Sequence, residues 1–137
     1  MASMLRISEA ASLAIHTMVY LAAHTEALVS TREIAKVFHA SEAHLSKVLQ
    51  RLARVGLVRS IRGPHGGFTL LKPANKISLL EVYEAIEGPI NSNVCLLEEP
   101  ACKKGRCVMG TILRGVYSEI DNYLRRTTVG SLKDVFA

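Results

Sequence analysis

Hydrophobic residues run almost without a break from Ala10 to Ala23, interrupted by Ser12, His16 and Thr17. Ser8 stands before them as an N-cap, and Glu9 places a negative charge in the first helical turn, where it suits the helix dipole. This predicts a helix to about His24 that is apolar nearly all round, with Leu13, Ile15, Met18, Val19 and Leu21, and so is buried between other elements or between subunits. It is too short to cross a bilayer. Ser30-Thr31-Arg32-Glu33 is a capping box that opens a short helix with Ile34, Ala35, Val37 and Phe38 facing inward. Ser41 caps the next helix, where Leu45, Val48, Leu49, Leu52 and Val55 recur at three- and four-residue steps until Gly56 stops it. Its other face carries His44, Lys47, Gln50, Arg51 and Arg54. Two short helices joined by a tight turn, the second apolar inside and basic outside, form a helix-turn-helix.

The period then changes. Leu57-Val58-Arg59-Ser60-Ile61 and Phe68-Thr69-Leu70-Leu71 are β-prone runs around the turn Arg62-Gly63-Pro64-His65-Gly66-Gly67, which predicts a hairpin placed as a wing. Its glycines permit close approach to a phosphate backbone, and an Arg near the tip suits a minor groove. A second capping box, Ser78-Leu79-Leu80-Glu81, starts a helix through Ile86 that Gly88-Pro89 ends. No period fits Pro89 to Cys107, and a loop of that length in a small domain is expected to be functional or disordered. Met109, Ile112, Leu113, Val116, Ile120 and Leu124 then mark one face of a helix to about Arg125, roughly 25 Å long. Such a stripe near the end of a small protein is most simply covered by its copy in a second subunit. The expected fold is mainly α with a small β-hairpin: a winged helix-turn-helix plus a long C-terminal dimerisation helix. The expected division is residues 1–88 as the winged helix-turn-helix domain, 89–107 as a cysteine-bearing loop, and 108–137 as the dimerisation helix and tail.

Charge sharpens this picture. The 137 residues carry a formal net charge of +5, and 49% of them are hydrophobic, so a disordered tail is excluded. Between Ser41 and Lys72 six cations (Lys47, Arg51, Arg54, Arg59, Arg62, Lys72) face one acid, Glu42, while the remaining eleven cations and eleven acids balance. The whole excess therefore lies on the helix-turn-helix and wing, as expected of a nucleic-acid-binding face. The opening Met1 to Arg6 has no apolar signal core with a cleavage site, so export is not expected, and the default compartment is cytoplasmic. Three cysteines cannot all pair within one chain, which argues against a disulfide-stapled secreted protein.

Cys95, Cys102 and Cys107 have the spacing C-x6-C-x4-C. Thiolates on one irregular loop can converge on a soft metal centre, whether iron–sulfur, zinc or copper(I), or remain free or redox-active thiols. The C-x2-C knuckle usual in structural zinc sites is absent. Lys103, Lys104 and Arg106 surround the cysteines, and positive charge favours thiolate. Elsewhere the five histidines share no metal-ligand spacing, Gly63 to Gly67 is not followed by the Lys-Ser/Thr of a phosphate loop, and no acid pair or nucleophile set is placed, so an enzyme is not expected.

The run Ser41 to Leu49, and above all the wing Leu57-Val58-Arg59-Ser60-Ile61-Arg62-Gly63-Pro64-His65-Gly66-Gly67-Phe68, strongly resembles the Rrf-type winged-helix transcriptional regulators, the family that includes IscR and NsrR. Ile77-Ser78-Leu79-Leu80-Glu81-Val82 and Thr128-Val129-Gly130-Ser131-Leu132 also match its pattern, so the similarity extends from Leu5 to Leu132. The resemblance implies a homodimeric bacterial transcriptional regulator, usually a repressor, on a pseudo-palindromic double-stranded DNA operator. DNA contacts carried over are Ser41, His44, Ser46, Lys47, Gln50, Arg51 and Arg54 on the recognition helix, with Arg59, Arg62, Gly63, Pro64, His65, Gly66 and Gly67 on the wing. It also implies that Cys95, Cys102 and Cys107 ligate an iron–sulfur cluster, 2Fe-2S or 4Fe-4S, sensing nitric oxide, redox or iron status. Two family positions for a fourth ligand differ here: Gly110 stands where some relatives have His, and Ser12 where others have an acid. Glu9, Ser12, Glu98, Glu99, an external ligand or the partner's first helix remain candidates. Some relatives lack the cysteines, and a cluster-free regulator controlled by thiol redox or a partner protein is the alternative.

Overall fold

The computed structural model describes residues 7–90 and 95–137. The expected N-terminal helix forms as α1, Glu9–Ala23, with the Ser8 Oγ accepting from the Ala11 N–H at 3.0 Å. Ala11, Ala14, Thr17, Met18 and Leu21 along it are fully or almost fully buried. α2 spans Thr31–Val37 and α3 spans Glu42–Arg54. The Ser30 hydroxyl accepts from the Glu33 N–H at 3.1 Å and the Ser41 hydroxyl from the His44 N–H at 3.0 Å. His39, between these helices, has φ +53° and makes the tight turn in the left-handed region. Two inward assignments are corrected. Val37 is exposed in the last turn of α2, and Val55, 53% exposed, is the C-cap of α3, where the helical period no longer sets its direction.

Strands β1 (Val58–Ile61) and β2 (Gly67–Leu70) pair antiparallel, with Val58 opposite Leu70 and Ile61 opposite Gly67. The hairpin does not stand free. Val29, ahead of α2, bridges Phe68: the Val29 N–H donates to the Phe68 carbonyl at 3.1 Å and the Phe68 N–H to the Val29 carbonyl at 2.8 Å. The second capping box gives α4, Leu79–Glu87, with the Ser78 hydroxyl accepting from the Glu81 N–H.

The last long helix, α5, runs Ile112–Arg126, about 22 Å, and starts three residues later than its apolar stripe predicts. The stripe divides. Leu124 is buried and Ile120 packs on the core, against α4, whereas Met109, Ile112 and Val116 are exposed. Beyond α5 the chain folds back beside α4: the Leu79 N–H donates to the Thr127 carbonyl and the Val129 N–H to the Ile77 carbonyl, each at 2.9 Å. The closing 3-10 helix, Gly130–Val135, packs on α1. There Phe136 joins Phe38, His16 and Tyr20 in an aromatic cluster, with Phe38 and Phe136 edge to face at 5.3 Å. The result is a helical core with a two-stranded wing, the fold class expected. Of the expected sensor loop, residues 91–94 lie outside the described residues, as do Leu5 and Arg6 at the start of the family resemblance; 95–111 hold turns without a helix or strand.

Candidate nucleic-acid interface and cysteine pocket

Helical geometry at about 100° per residue sets the face that α3 shows. Leu45, Val48, Leu49 and Leu52 are buried on one side. His44, Lys47, Gln50, Arg51 and Arg54 fall on the opposite side in a stripe about 120° wide, with His44 half-buried and the rest exposed. On the wing, Arg59, Arg62, Gly63, Pro64 and His65 are all exposed. The single acid of the stretch, Glu42, lies 4.0 Å from Arg32 of α2. A cation-rich helix face followed directly by a cation-bearing hairpin matches the duplex-reading shape, in which phosphate contacts position and base edges specify.

Four expected DNA contacts have structural duties here. Ser41 uses its hydroxyl to cap α3. A Cβ on Gly66 would lie 2.1 Å from the Ile61 carbonyl oxygen, and one on Gly67 would lie 2.7 Å from the Val29 carbonyl oxygen. Those glycines permit the wing to turn tightly and dock on the Val29 backbone. A fourth expected contact, Arg51, is held within the fold: its Nη1 donates to the Ile86 carbonyl in the last turn of α4 at 3.1 Å. Ser46 is half-buried.

Cys95, Cys102 and Cys107 line one open pocket of about 560 Å³, together with Arg106 and Arg114. The Cys107 Sγ accepts from the Met109 N–H at 3.4 Å. Turns at Lys104 (φ +61°) and Gly105 (φ +64°) lie between Cys102 and Cys107. Among the described residues no three His, Cys, Asp or Glu side chains are close enough together to hold a metal ion. The donor set nevertheless fits an iron–sulfur cluster in kind: three soft thiols open onto one pocket, and two guanidinium groups that line it would offset a cluster's negative charge. Arg114 was not foreseen, because it enters from the first turn of α5 rather than from the loop. Glu9 and Ser12 are not brought to these cysteines. They line a separate cleft of about 230 Å³ with His16, Phe38 and His39, and Glu98 and Glu99 are exposed on the loop.

Two tyrosines are perturbed outside these surfaces. Burial, then the charge of Glu33 and a 3.3 Å hydrogen bond to it, hold the Tyr20 phenol above its ordinary range. Burial, followed by Glu87 and Tyr117, does the same for Tyr83.

Comparison with known proteins gives a consistent result. A family model described as Rrf2, iron-dependent transcriptional regulator, matches residues 7–134. The HTH-type transcriptional regulator IscR of Pectobacterium carotovorum is 31% identical over 130 residues, 93% of this chain and 79% of that protein. Among solved structures, CymR (YrzC), the global cysteine regulator of B. subtilis, superposes with a TM-score of 0.76 at 28% identity, covering 96% of this chain and 98% of that one. T. potens IscR superposes with a TM-score of 0.72 at 26% identity, covering 96% and 89%. No helix among the described residues is long and apolar enough to cross a membrane.

Proposed function

The chain belongs to the Rrf2 family of transcriptional regulators, and from that membership we propose that it is a cytoplasmic, homodimeric repressor of a pseudo-palindromic operator whose affinity is set at the cysteine pocket. The observation that carries the DNA reading is the run of exposed cations Lys47, Arg51, Arg54, Arg59 and Arg62 along α3 and the wing, with Glu42 drawn toward Arg32. His44, Ser46, Lys47, Gln50 and Arg54 read bases and phosphates in a major groove. Arg59 and the wing tip, Arg62 to His65, reach the adjacent minor groove. Gly66 and Gly67 act by holding that tip in place. The exposed Met109, Ile112 and Val116 pair with their copies about a twofold axis, and this sets the two recognition helices near one DNA turn apart, roughly 34 Å.

Cys95, Cys102 and Cys107 hold an iron–sulfur cluster, with Arg106 and Arg114 balancing its charge. When bound, such a cluster supplies redox and ligand-exchange chemistry that answers to nitric oxide, oxidants or iron supply. The cysteines lie on the loop between α4 and α5, and Arg106 and Arg114 line the same pocket and bring positive charge to it. Because Glu9 and Ser12 line another cleft, a fourth ligand from α1 belongs to the second subunit. The spread of the three thiols and the likeness to a cysteine regulator favour a second reading, a cluster-free switch acting through these thiols directly.

Anaerobic purification tests both readings. The cluster predicts a brown protein with bound iron and sulfide, and a Cys102→Ala variant that loses the visible absorbance. It also predicts retention of a duplex selected from a random library, with affinity that changes on cluster loss. A colourless, iron-free protein whose duplex affinity responds to thiol oxidation would establish the second reading instead.

A further inference from the structure

α4 has Glu84 and Glu87 in its last turn and no basic residue there. Helix C-termini leave carbonyls unpartnered and favour positive charge. Here that charge arrives from outside the helix, as the Arg51 Nη1 donates to the Ile86 carbonyl at 3.1 Å. One residue on, Glu87 accepts from the hydroxyl of Ser8, the N-cap of α1. The last i→i−4 bond, from the Gly88 N–H to the Glu84 carbonyl, is 2.8 Å, and Gly88-Pro89 then leads into the segment that carries the cysteines. α4 also packs on α3, α1 and α5, so its end lies between the cationic face and the loop.

We propose that Arg51 couples DNA docking to the cysteine loop by exchanging the α4 carbonyl for a DNA phosphate. This rests on the DNA-binding reading above and adds the route by which the two ends of the molecule communicate. A guanidinium–phosphate contact joins two opposite charges and can form two parallel hydrogen bonds, where the Ile86 carbonyl takes one, so docking draws Arg51 off Ile86. The end of α4 then loses its external cap and loosens where the loop begins. By linkage, a loop state that displaces Ile86 changes the energy of presenting Arg51 to DNA by the same amount.

The test measures hydrogen–deuterium exchange across Glu84–Ile90 in the full-length protein, free and saturated with a duplex enriched from a random library. Wild type, Arg51→Ala and Lys47→Ala are compared. Exchange in the wild type accelerates about threefold or more on binding the duplex. Arg51→Ala is already fast when free and does not respond to DNA. Lys47→Ala binds more weakly but responds as the wild type does. A cap with no role in coupling would speed exchange in free Arg51→Ala and leave the wild type indifferent to DNA, and that result overturns the proposal. So does an Arg51→Ala protein that still responds. If the wild type enriches no duplex at all, the DNA-binding reading itself fails and this route falls with it; enrichment with the wrong exchange pattern removes only Arg51.

Discussion

Gly67→Ala separates a glycine that docks the wing from a glycine that approaches DNA. A Cβ at Gly67 would meet three backbone atoms of Val29: its carbonyl oxygen at 2.7 Å, its carbonyl carbon at 2.9 Å and its nitrogen at 3.1 Å. None is the end of a flexible side chain, so relief requires moving the hairpin off Val29. That move breaks the two hydrogen bonds between Val29 and Phe68. At about 0.5–1.5 kcal/mol net for each bond, the loss is about 1–3 kcal/mol before any cost from the disturbed packing of Phe68. Equilibrium urea unfolding reads it as a lower midpoint at unchanged slope, since little surface changes in the unfolded chain. Gly115→Ala provides the opposite sign. That position lies inside α5 with nothing within 4 Å of an added Cβ, so the variant gains roughly 0.5–1 kcal/mol from helix propensity. A Gly67→Ala protein within about 0.5 kcal/mol of the wild type, yet defective on DNA, would refute the docking account and return Gly67 to the contact surface.

Other outcomes follow from the same geometry. Replacing Ile112 and Val116 by Ser weakens self-association about a hundredfold or more, measured by sedimentation, because each twofold contact loses side chains worth about 1.5–3 kcal/mol when buried; an unchanged dimer would place the interface elsewhere. Lys47→Ala reduces the slope of log affinity against log salt by about 1 for each chain bound, and weakens all duplexes nearly equally. For Tyr20 and Tyr83 the folded phenols titrate above the ordinary value of 10.0, so the folded state retains protons that the unfolded chain gives up. Their contribution is complete below pH 10.0 and is lost as the pH climbs through the raised folded values. The melting temperature therefore falls in that alkaline window, and a Tyr20→Phe, Tyr83→Phe double variant flattens the fall.

The helices were legible because their signals are local. Ser8, Ser30, Ser41 and Ser78 each cap the helix that their spacing announces, through bonds confined to one turn. The charge map was legible for a similar reason, since a buried Leu45, Val48, Leu49 and Leu52 force Lys47, Gln50 and Arg54 outward at a fixed period. What escaped depends on segments distant in sequence. The contact of Gly67 with Val29, the bond from Arg51 to Ile86, and the return of Val129 to Ile77 each join residues 35 or more positions apart, and no local pattern encodes them. Val55 shows the limit of periodicity, which carried it inward one step beyond the last residue of the helix. Arg114 escaped because it reaches the cysteine pocket from another element.

The divided stripe of α5 bears on how sensing and dimerisation connect. Only its C-terminal part is anchored in its own core, through Leu124, Ile120 and the strap that returns beside α4. Its N-terminal turn carries Arg114 into the cysteine pocket and presents Ile112 and Val116 outward. One short segment thus borders both the proposed sensor and the proposed twofold contact. On the proposed dimer, a rearrangement of the thiols that shifts this turn by an ångström or two would reach the partner subunit directly, while the anchored end keeps its place. Interfaces of packed side chains respond to such shifts by switching between arrangements rather than by bending smoothly. In that arrangement, rotation between subunits would change the separation of two recognition helices that a duplex accepts only near one turn, so a small movement at the pocket would decide whether both helices dock.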